Sequence, residues 1–282
     1  MDAARVAVIG AGTMGNGIAQ VFATAGFSVT MVDVEPRFLE RGLASIRQSA
    51  ARFVQKGTLS PQQSEAALAR ISTSQSLAEA AGASLVVEAV VEDLAVKKTV
   101  FGQLDAVCPA TTILASNTSS IAITELAAAT RRPQQVIGMH FFNPVPVMKL
   151  VEIVRGLATS DETHDTVSAL SVRLGKTPVE VSDFPGFVSN RVLMPMINEA
   201  IFCLMEGVAS ADSIDAVMKL GMNHPMGPLA LADLIGLDTC LNIMRVLHDG
   251  FGDPKYRPCP LLAKMVAAGR LGRKTGRGFF SY

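Results

Sequence analysis

Two textures of hydrophobic and polar positions divide the chain. In the first, short β-branched apolar runs alternate with longer segments whose apolar positions recur every three to four residues. The runs at 6–9, 28–33, 85–88, 112–115, 136–139, 150–154 and 179–181 predict strands. Helices are predicted at 14–25, 37–56, 61–70, 92–107 and 161–174. Pro61 suits a first helical turn, and Ser160 or Asp161 suits a cap. The strand runs are apolar at almost every position, as expected when both faces of a sheet are covered. Strands alternating with helices point to an α/β fold around a largely parallel sheet.

After Asp183 the texture changes. Phe184-Pro-Gly186 interrupts the chain, and only helical periodicity follows, at 187–205, 212–220, 228–234, 237–248 and 260–268. Pro195 predicts a kink, Asp212 a cap and Gly221 a terminator. The expected organisation is an α/β domain over residues 1–183, a short hinge, and an all-α domain over 184–282.

Composition narrows the classes. Apolar residues make up 49 % of the chain and charged residues 18 %, with 25 basic against 25 acidic side chains. Soluble domains average about 25 % charged, so this is a core-rich globular chain and not a disordered one. Zero net charge excludes nucleic acid or an anionic membrane as the main partner. Cys108, Cys203, Cys240 and Cys259 form no paired motif, so neither a metal site nor a disulfide framework is expected, but reduced thiols in the cytoplasm. No continuous apolar span of membrane length exists. A strand-like run begins almost at once, so no signal peptide is expected.

Gly10-Ala-Gly12-Thr13-Met14-Gly15 follows the first strand and opens the first helix. In that context the glycines read as a dinucleotide fingerprint. Gly10 permits a tight turn, Gly12 lets backbone N–H groups approach a pyrophosphate, and Gly15 permits close helix–strand packing. The helix N-terminus adds donors for the phosphates. Asp33 ends the second strand, where a carboxylate binds an adenosine ribose and repels a 2′-phosphate. A Rossmann-type domain using NAD is therefore expected. A second reading of Asp33, as a cap of the helix after it, stays open, and Arg37 leaves some NADP tolerance open.

Further chemistry clusters at strand ends. His140, one of four histidines, directly follows a strand, and Glu152 lies on the next. Such a pair suits hydride chemistry on an alcohol: one ring nitrogen takes the hydroxyl proton while a carboxylate orients the other. Spacing alone leaves a structural, hydrogen-bonded histidine open. Ser116-Asn-Thr-Ser119-Ser120 reads as a turn or as a set of substrate donors, and Asn190 as a cap or a cleft residue. Glu92 and Lys97 read as a surface ion pair.

Taken in order, the fingerprint, Ser116-Asn-Thr-Ser-Ser120, His140-Phe-Phe-Asn-Pro-Val-Pro-Val-Met-Lys-Leu-Val-Glu152, Asp183-Phe-Pro-Gly-Phe-Val-Ser-Asn-Arg191, His224-Pro-Met-Gly-Pro228 and Gly272-Arg-Lys-Thr-Gly-Arg-Gly-Phe279 resemble the 3-hydroxyacyl-CoA dehydrogenase family over essentially the whole chain. The compact length is similar to the bacterial 3-hydroxybutyryl-CoA dehydrogenases. The resemblance implies an NAD-dependent oxidoreductase acting on an acyl-CoA thioester, in fatty-acid or butanoate metabolism. It implies His140 as catalytic base, Glu152 as its partner, and Ser119 and Asn190 as substrate-holding groups. It implies Glu92, Lys97, Asn143 and Lys274 along the cofactor, and Ser49 and Lys56 at coenzyme A. It also implies substrate between the domains and a homodimer, or higher homo-oligomer, through the C-terminal domain. A 3-hydroxy-acid or sugar-acid dehydrogenase on the same scaffold, or a non-catalytic NAD-binding protein, are the other readings.

The resemblance also changes the view of charge. Residues 37–56 hold five basic side chains (Arg37, Arg41, Arg47, Arg52, Lys56) against Glu40 alone. Zero net charge is thus compatible with a local phosphate patch on the helix after Asp33.

Overall fold

The computed structural model describes residues 5–282, and the chain divides into two compact units, Met1–Asp183 and Phe184–Tyr282. The first is an α/β unit in the order β1 (Arg5–Ile9), α1 (Thr13–Thr24), β2 (Ser28–Val32), α2 (Pro36–Gln55), α3 (Pro61–Ala69), β3 (Ile71–Ser74), β4 (Leu85–Glu88), α4 (Leu94–Val107), β5 (Ile113–Ser116), α5 (Ile123–Ala127), β6 (Val136–Phe141), β7 (Leu150–Arg155), α6 (Asp161–Arg173) and β8 (Thr177–Ser182).

All eight strands join one sheet in the order β3-β2-β1-β4-β5-β6-β7-β8. The pairs from β3 across to β6 are parallel. The chain moves outward through β2 and β3, then returns to the other side of β1 to lay down β4. That reversal makes a crevice at the carboxyl ends of β1 and β4, where open α/β sheets place ligands. Val6, Val8, Val29, Met31, Leu85 and Val87 pack with Ile18, Phe22 and Phe27 into the main core. Phe22 meets Phe27 edge-on, 5.5 Å between centroids.

Several details differ from the sequence expectations. β7 runs antiparallel to β6, and β8 runs parallel to β7. β3, with the sequence Ile-Ser-Thr-Ser, carries no strand pattern; it forms because β2 offers an edge to pair with. α4 starts at Leu94, because Asp93 Oδ1 accepts the Val96 N–H at 2.9 Å and caps it, leaving Glu92 in the preceding turn. The five-residue α5 is capped from far along the chain: Asp183 accepts the Ile123 and Thr124 N–H groups at 2.9 and 2.8 Å.

The second unit packs α7 (Ser189–Met205), α8 (Ala211–Gly221), α9 (Pro228–Ile235), α10 (Leu237–Phe251) and α11 (Pro260–Ala267) around Met194, Ile201, Leu229, Leu237, Met244 and Leu262. α7 begins two residues later than its periodicity suggests, because Phe187 has φ +52° and cannot sit in a right-handed helix. Ser210, not Asp212, caps α8; its Oγ accepts the Ser213 N–H at 3.2 Å, and Asp212 lies in the first turn. Gly221 is the last helical residue and not the terminator, with Met222 as the cap. Beyond α11, isolated bridges join Gly272 to Arg277 and Arg277 to Ser281. Asp233 fastens this tail, accepting the Phe279 and Phe280 N–H groups and the Tyr282 hydroxyl.

Candidate active site

The crevice starts at the carboxyl end of β1. Gly10 has φ +103°, which turns the chain sharply out of the strand. A Cβ on Gly15 would collide with the Gly10 carbonyl, so α1 reaches the strand only with glycine there. Gly12 differs: a Cβ would meet nothing within 4 Å. Gly12 and Thr13 are exposed at the start of α1, which has no side-chain cap and no acid in its first turn. Its N–H groups and partial positive charge therefore stay available to an anion. Met14 packs against the core. At the end of β2, Asp33 accepts the Ala11 N–H at 2.8 Å through one oxygen and the Glu35 N–H at 3.0 Å through the other. It thus closes the glycine loop and also shapes the entry to α2.

A polar network joins the ends of β4 and β5. Glu88, the last residue of β4, is fully buried and accepts from Lys97 Nζ at 2.6 Å, the Val90 N–H at 2.7 Å and Ser116 Oγ at 2.7 Å. Lys97 is 1 % exposed and also lies 3.3 Å from Glu92. The surface reading of the Glu92–Lys97 pair is therefore corrected: the ammonium sits inside, held there by a second carboxylate. One Glu92 oxygen accepts from Thr118 Oγ at 2.6 Å, the Ser119 N–H at 2.9 Å, Ser120 Oγ at 3.1 Å and Ser119 Oγ at 3.4 Å. Burial pushes the Glu92 carboxyl up, but the Lys97 charge and these donors outweigh it and hold the group below its ordinary value.

At the end of β6 stands His140. Antiparallel pairing places it directly opposite Glu152 on β7, so both side chains share one face. His140 Nδ1 lies 2.8 Å from Glu152 Oε2, with both residues buried. A carboxylate only accepts, so Nδ1 carries the proton and, in the neutral ring, Nε2 is the acceptor nitrogen. The Phe142 ring lies 4.6 Å from the imidazole, centroid to centroid. Asn143 is exposed where the loop to β7 begins. That loop is braced from below: buried Lys176 donates to the Val145 carbonyl at 2.5 Å and the Met148 carbonyl at 2.6 Å.

A glycine-turned helix N-terminus, a carboxylate after β2 and a buried His–Glu pair thus gather along one edge of one sheet. The family model for the NAD-binding domain of 3-hydroxyacyl-CoA dehydrogenase matches residues 5–184, and the model for that family's C-terminal domain matches 186–282. The chain belongs to the 3-hydroxyacyl-CoA dehydrogenase family. A probable 3-hydroxybutyryl-CoA dehydrogenase of Bacillus subtilis is 62 % identical over 100 % of this chain and 98 % of its own. The 3-hydroxybutyryl-CoA dehydrogenase of Bradyrhizobium diazoefficiens is 54 % identical over 99 % of this chain and 95 % of its own. The crystal structure of the (S)-3-hydroxybutyryl-CoA dehydrogenase PaaH1 from Ralstonia eutropha superposes with a TM-score of 0.96 at 54 % identity, covering 99 % of this chain and 98 % of that one.

NAD is the cofactor of this family's N-terminal domain. The residues present fit it: open space over Gly12, uncapped N–H groups behind it, and a carboxylate at the end of β2. Other expected site residues of this dehydrogenase lie further along the chain. Asn190 is buried in the first turn of α7, just after the left-handed Phe187. Lys274 belongs to the second unit, where Asp238 holds its ammonium at 2.5 and 2.7 Å. Ser49 is half-buried on α2, and Lys56 is the exposed residue that ends it. Sequence reasoning missed Glu88, Thr118 and Lys176. The signal for Glu88 was a lone acid closing the apolar run Leu-Val-Val.

Proposed function

We propose that the chain interconverts (S)-3-hydroxyacyl-CoA, above all 3-hydroxybutyryl-CoA, and the 3-oxoacyl-CoA, with NAD(H). The buried His140–Glu152 pair carries this reading. The names and near-full coverage of the Bacillus, Bradyrhizobium and Ralstonia relatives support it.

In the oxidation direction His140 Nε2 takes the C3 hydroxyl proton. NAD supplies the acceptor for the hydride leaving C3. In reduction the imidazolium returns the proton to the C3 oxygen. Glu152 holds the ring by Nδ1 and stabilises its charged form. Ser119 and Asn190 hold the C3 oxygen or the thioester carbonyl, so that reacting atoms start aligned. Glu92, Asn143 and Lys274 line the cofactor, with the buried Lys97 ammonium behind Glu92. Ser49 and Lys56 take the coenzyme A end, which the basic excess on α2 favours.

The experiment is NADH oxidation with acetoacetyl-CoA, compared with free acetoacetate. Turnover of the thioester alone is expected; equal use of the free acid would favour a hydroxy-acid dehydrogenase. His140→Ala is expected to lose about 10²–10⁴-fold in kcat while still binding NADH. Near-parental turnover by that variant would overturn the role of His140.

The second unit supplies a surface for self-association. Val188 and Val192 flank the first turn of α7, and Val217 and Leu220 one side of α8, all exposed. We read these as part of a homo-oligomer contact, which light scattering at micromolar concentration tests: a monomer would exclude it. Four free thiols, three of them buried, support a reducing compartment, the cytoplasm. Among the described residues no helix is long and apolar enough to cross a membrane.

A further inference from the structure

We propose that Glu88, which the motif-based assignments leave out, is the positioning residue that sets the Ser119 loop for the reaction. The inference rests on the proposed dehydrogenase activity.

Two routes lead from the Glu88 carboxylate to Ser119. The charged route uses Oε1: it accepts from Lys97 Nζ at 2.6 Å, Lys97 lies 3.3 Å from Glu92, and Glu92 accepts the Ser119 N–H at 2.9 Å. The neutral route uses Oε2: it accepts from Ser116 Oγ at 2.7 Å, Ser116 Oγ accepts the Thr118 N–H at 3.1 Å, and Thr118 Oγ donates to Glu92 at 2.6 Å. Both routes meet at the Glu92 carboxylate, the ammonium against Oε2 and the loop donors on Oε1, and both begin at Glu88.

The arrangement constrains each member. Glu92 has side-chain contact with solvent, while Lys97 and Glu88 have essentially none. A lysine at 1 % exposure facing only one half-exposed carboxylate would be drawn outward towards Glu92. Glu88 supplies the inner charge that keeps the ammonium between two anions. Its second oxygen fixes the Ser116 hydroxyl rotor, which turns the following backbone so that Thr118 and Ser119 both donate to Glu92. The Val90 N–H, also on Glu88 Oε1 at 2.7 Å, ties the turn that carries Glu92 to the same carboxylate. One buried side chain thereby fixes the two loops, 89–93 and 117–120, that bear the expected cofactor and substrate groups.

The test is a double-mutant cycle on full-length protein. Parental turnover of acetoacetyl-CoA with NADH is measured first; its absence would remove the dehydrogenase reading itself, separately from Glu88. Glu88→Gln keeps the shape, removes the charge, and replaces one acceptor oxygen with a donor. We expect Glu88→Gln to lower kcat/KM for acetoacetyl-CoA about 10-fold to 100-fold and to raise the NADH Kd by fluorescence titration. In a Lys97→Met background, the same change should cost less than threefold more, because the charged route is already cut. Ser116→Ala, which cuts only the neutral route and leaves the ion pairs intact, should lower kcat/KM about threefold to tenfold. If Glu88→Gln does not fold, Ser116→Ala and Lys97→Met decide: parental kinetics in both would overturn the proposal. A folded Glu88→Gln protein within twofold of parental kcat/KM, or losses that multiply fully in the double variant, would overturn it as well, since a purely structural carboxylate changes melting temperature and not this coupling.

Discussion

His140 and Glu152 stand twelve positions apart in sequence and directly across from each other in the sheet. Their meeting depends on β7 running back along β6, which no local pattern announces, since buried parallel and antiparallel strands both read as apolar runs. The motif residues were legible; the geometry that makes them a pair was not. Glu152→Gln keeps an acceptor for Nδ1 but removes the negative charge beside the ring. We expect kcat to fall about tenfold to a hundredfold. The pH–rate profile should also change, because the ring loses the charge beside it. An unmoved profile would make Glu152 a packing residue. Lys97 shows the opposite failure. A lysine five residues from a glutamate on a helical segment looks like solvated surface, and only the buried Glu88 explains why it points inward.

At the scale of elements, apolar runs of strand length were enough to locate seven of the eight strands. The eighth, β3, is polar at three of its four positions and takes its conformation from an available neighbour. The five-residue α5 was equally silent, because the carboxylate that caps it lies about sixty positions away. The glycine turn, by contrast, was readable in full, and its members separate by role. Gly15→Ala would drive a methyl into the Gly10 carbonyl. It should destabilise the fold by about 1–3 kcal/mol or more, visible as a lower Tm without any ligand. At Gly12 an alanine fits the backbone, φ −64° and ψ −170°, and meets no atom. Gly12→Ala should therefore keep the parental Tm and lose NADH affinity tenfold or more by fluorescence titration. Equal affinity would show that this space is not where the pyrophosphate approaches.

For the whole molecule, two carboxylates far apart give folding stability the same response to acid. Glu92 is held below its ordinary value as described. At Asp105, burial raises the carboxyl but donation from Arg131 and Arg132 outweighs it and lowers it. A carboxyl lower in the folded chain than in the unfolded one stabilises fully above the unfolded value, 3.8 for Asp and 4.5 for Glu, and loses that contribution as pH falls towards the folded value. Tm should therefore hold level from neutral pH to about 5 and drop below about 4. Asp105→Asn should start lower and fall less steeply in acid, and parallel curves would rule out this origin.

The Glu88–Lys97 pair also bears on how such a chain can change over generations. Losing one partner leaves a charge in the interior, a penalty of about 3–5 kcal/mol, against a total stability of about 5–15 kcal/mol for a typical domain. Either single substitution would bring the protein close to failing. Replacing both by apolar residues of similar volume removes the buried charges, at the smaller cost of leaving the Val90 N–H and the Ser116 hydroxyl without their acceptor. Descendants of this sequence are thus expected to hold both residues or neither, with few viable intermediates between. The two codons would be inherited as one character, although nine positions separate them.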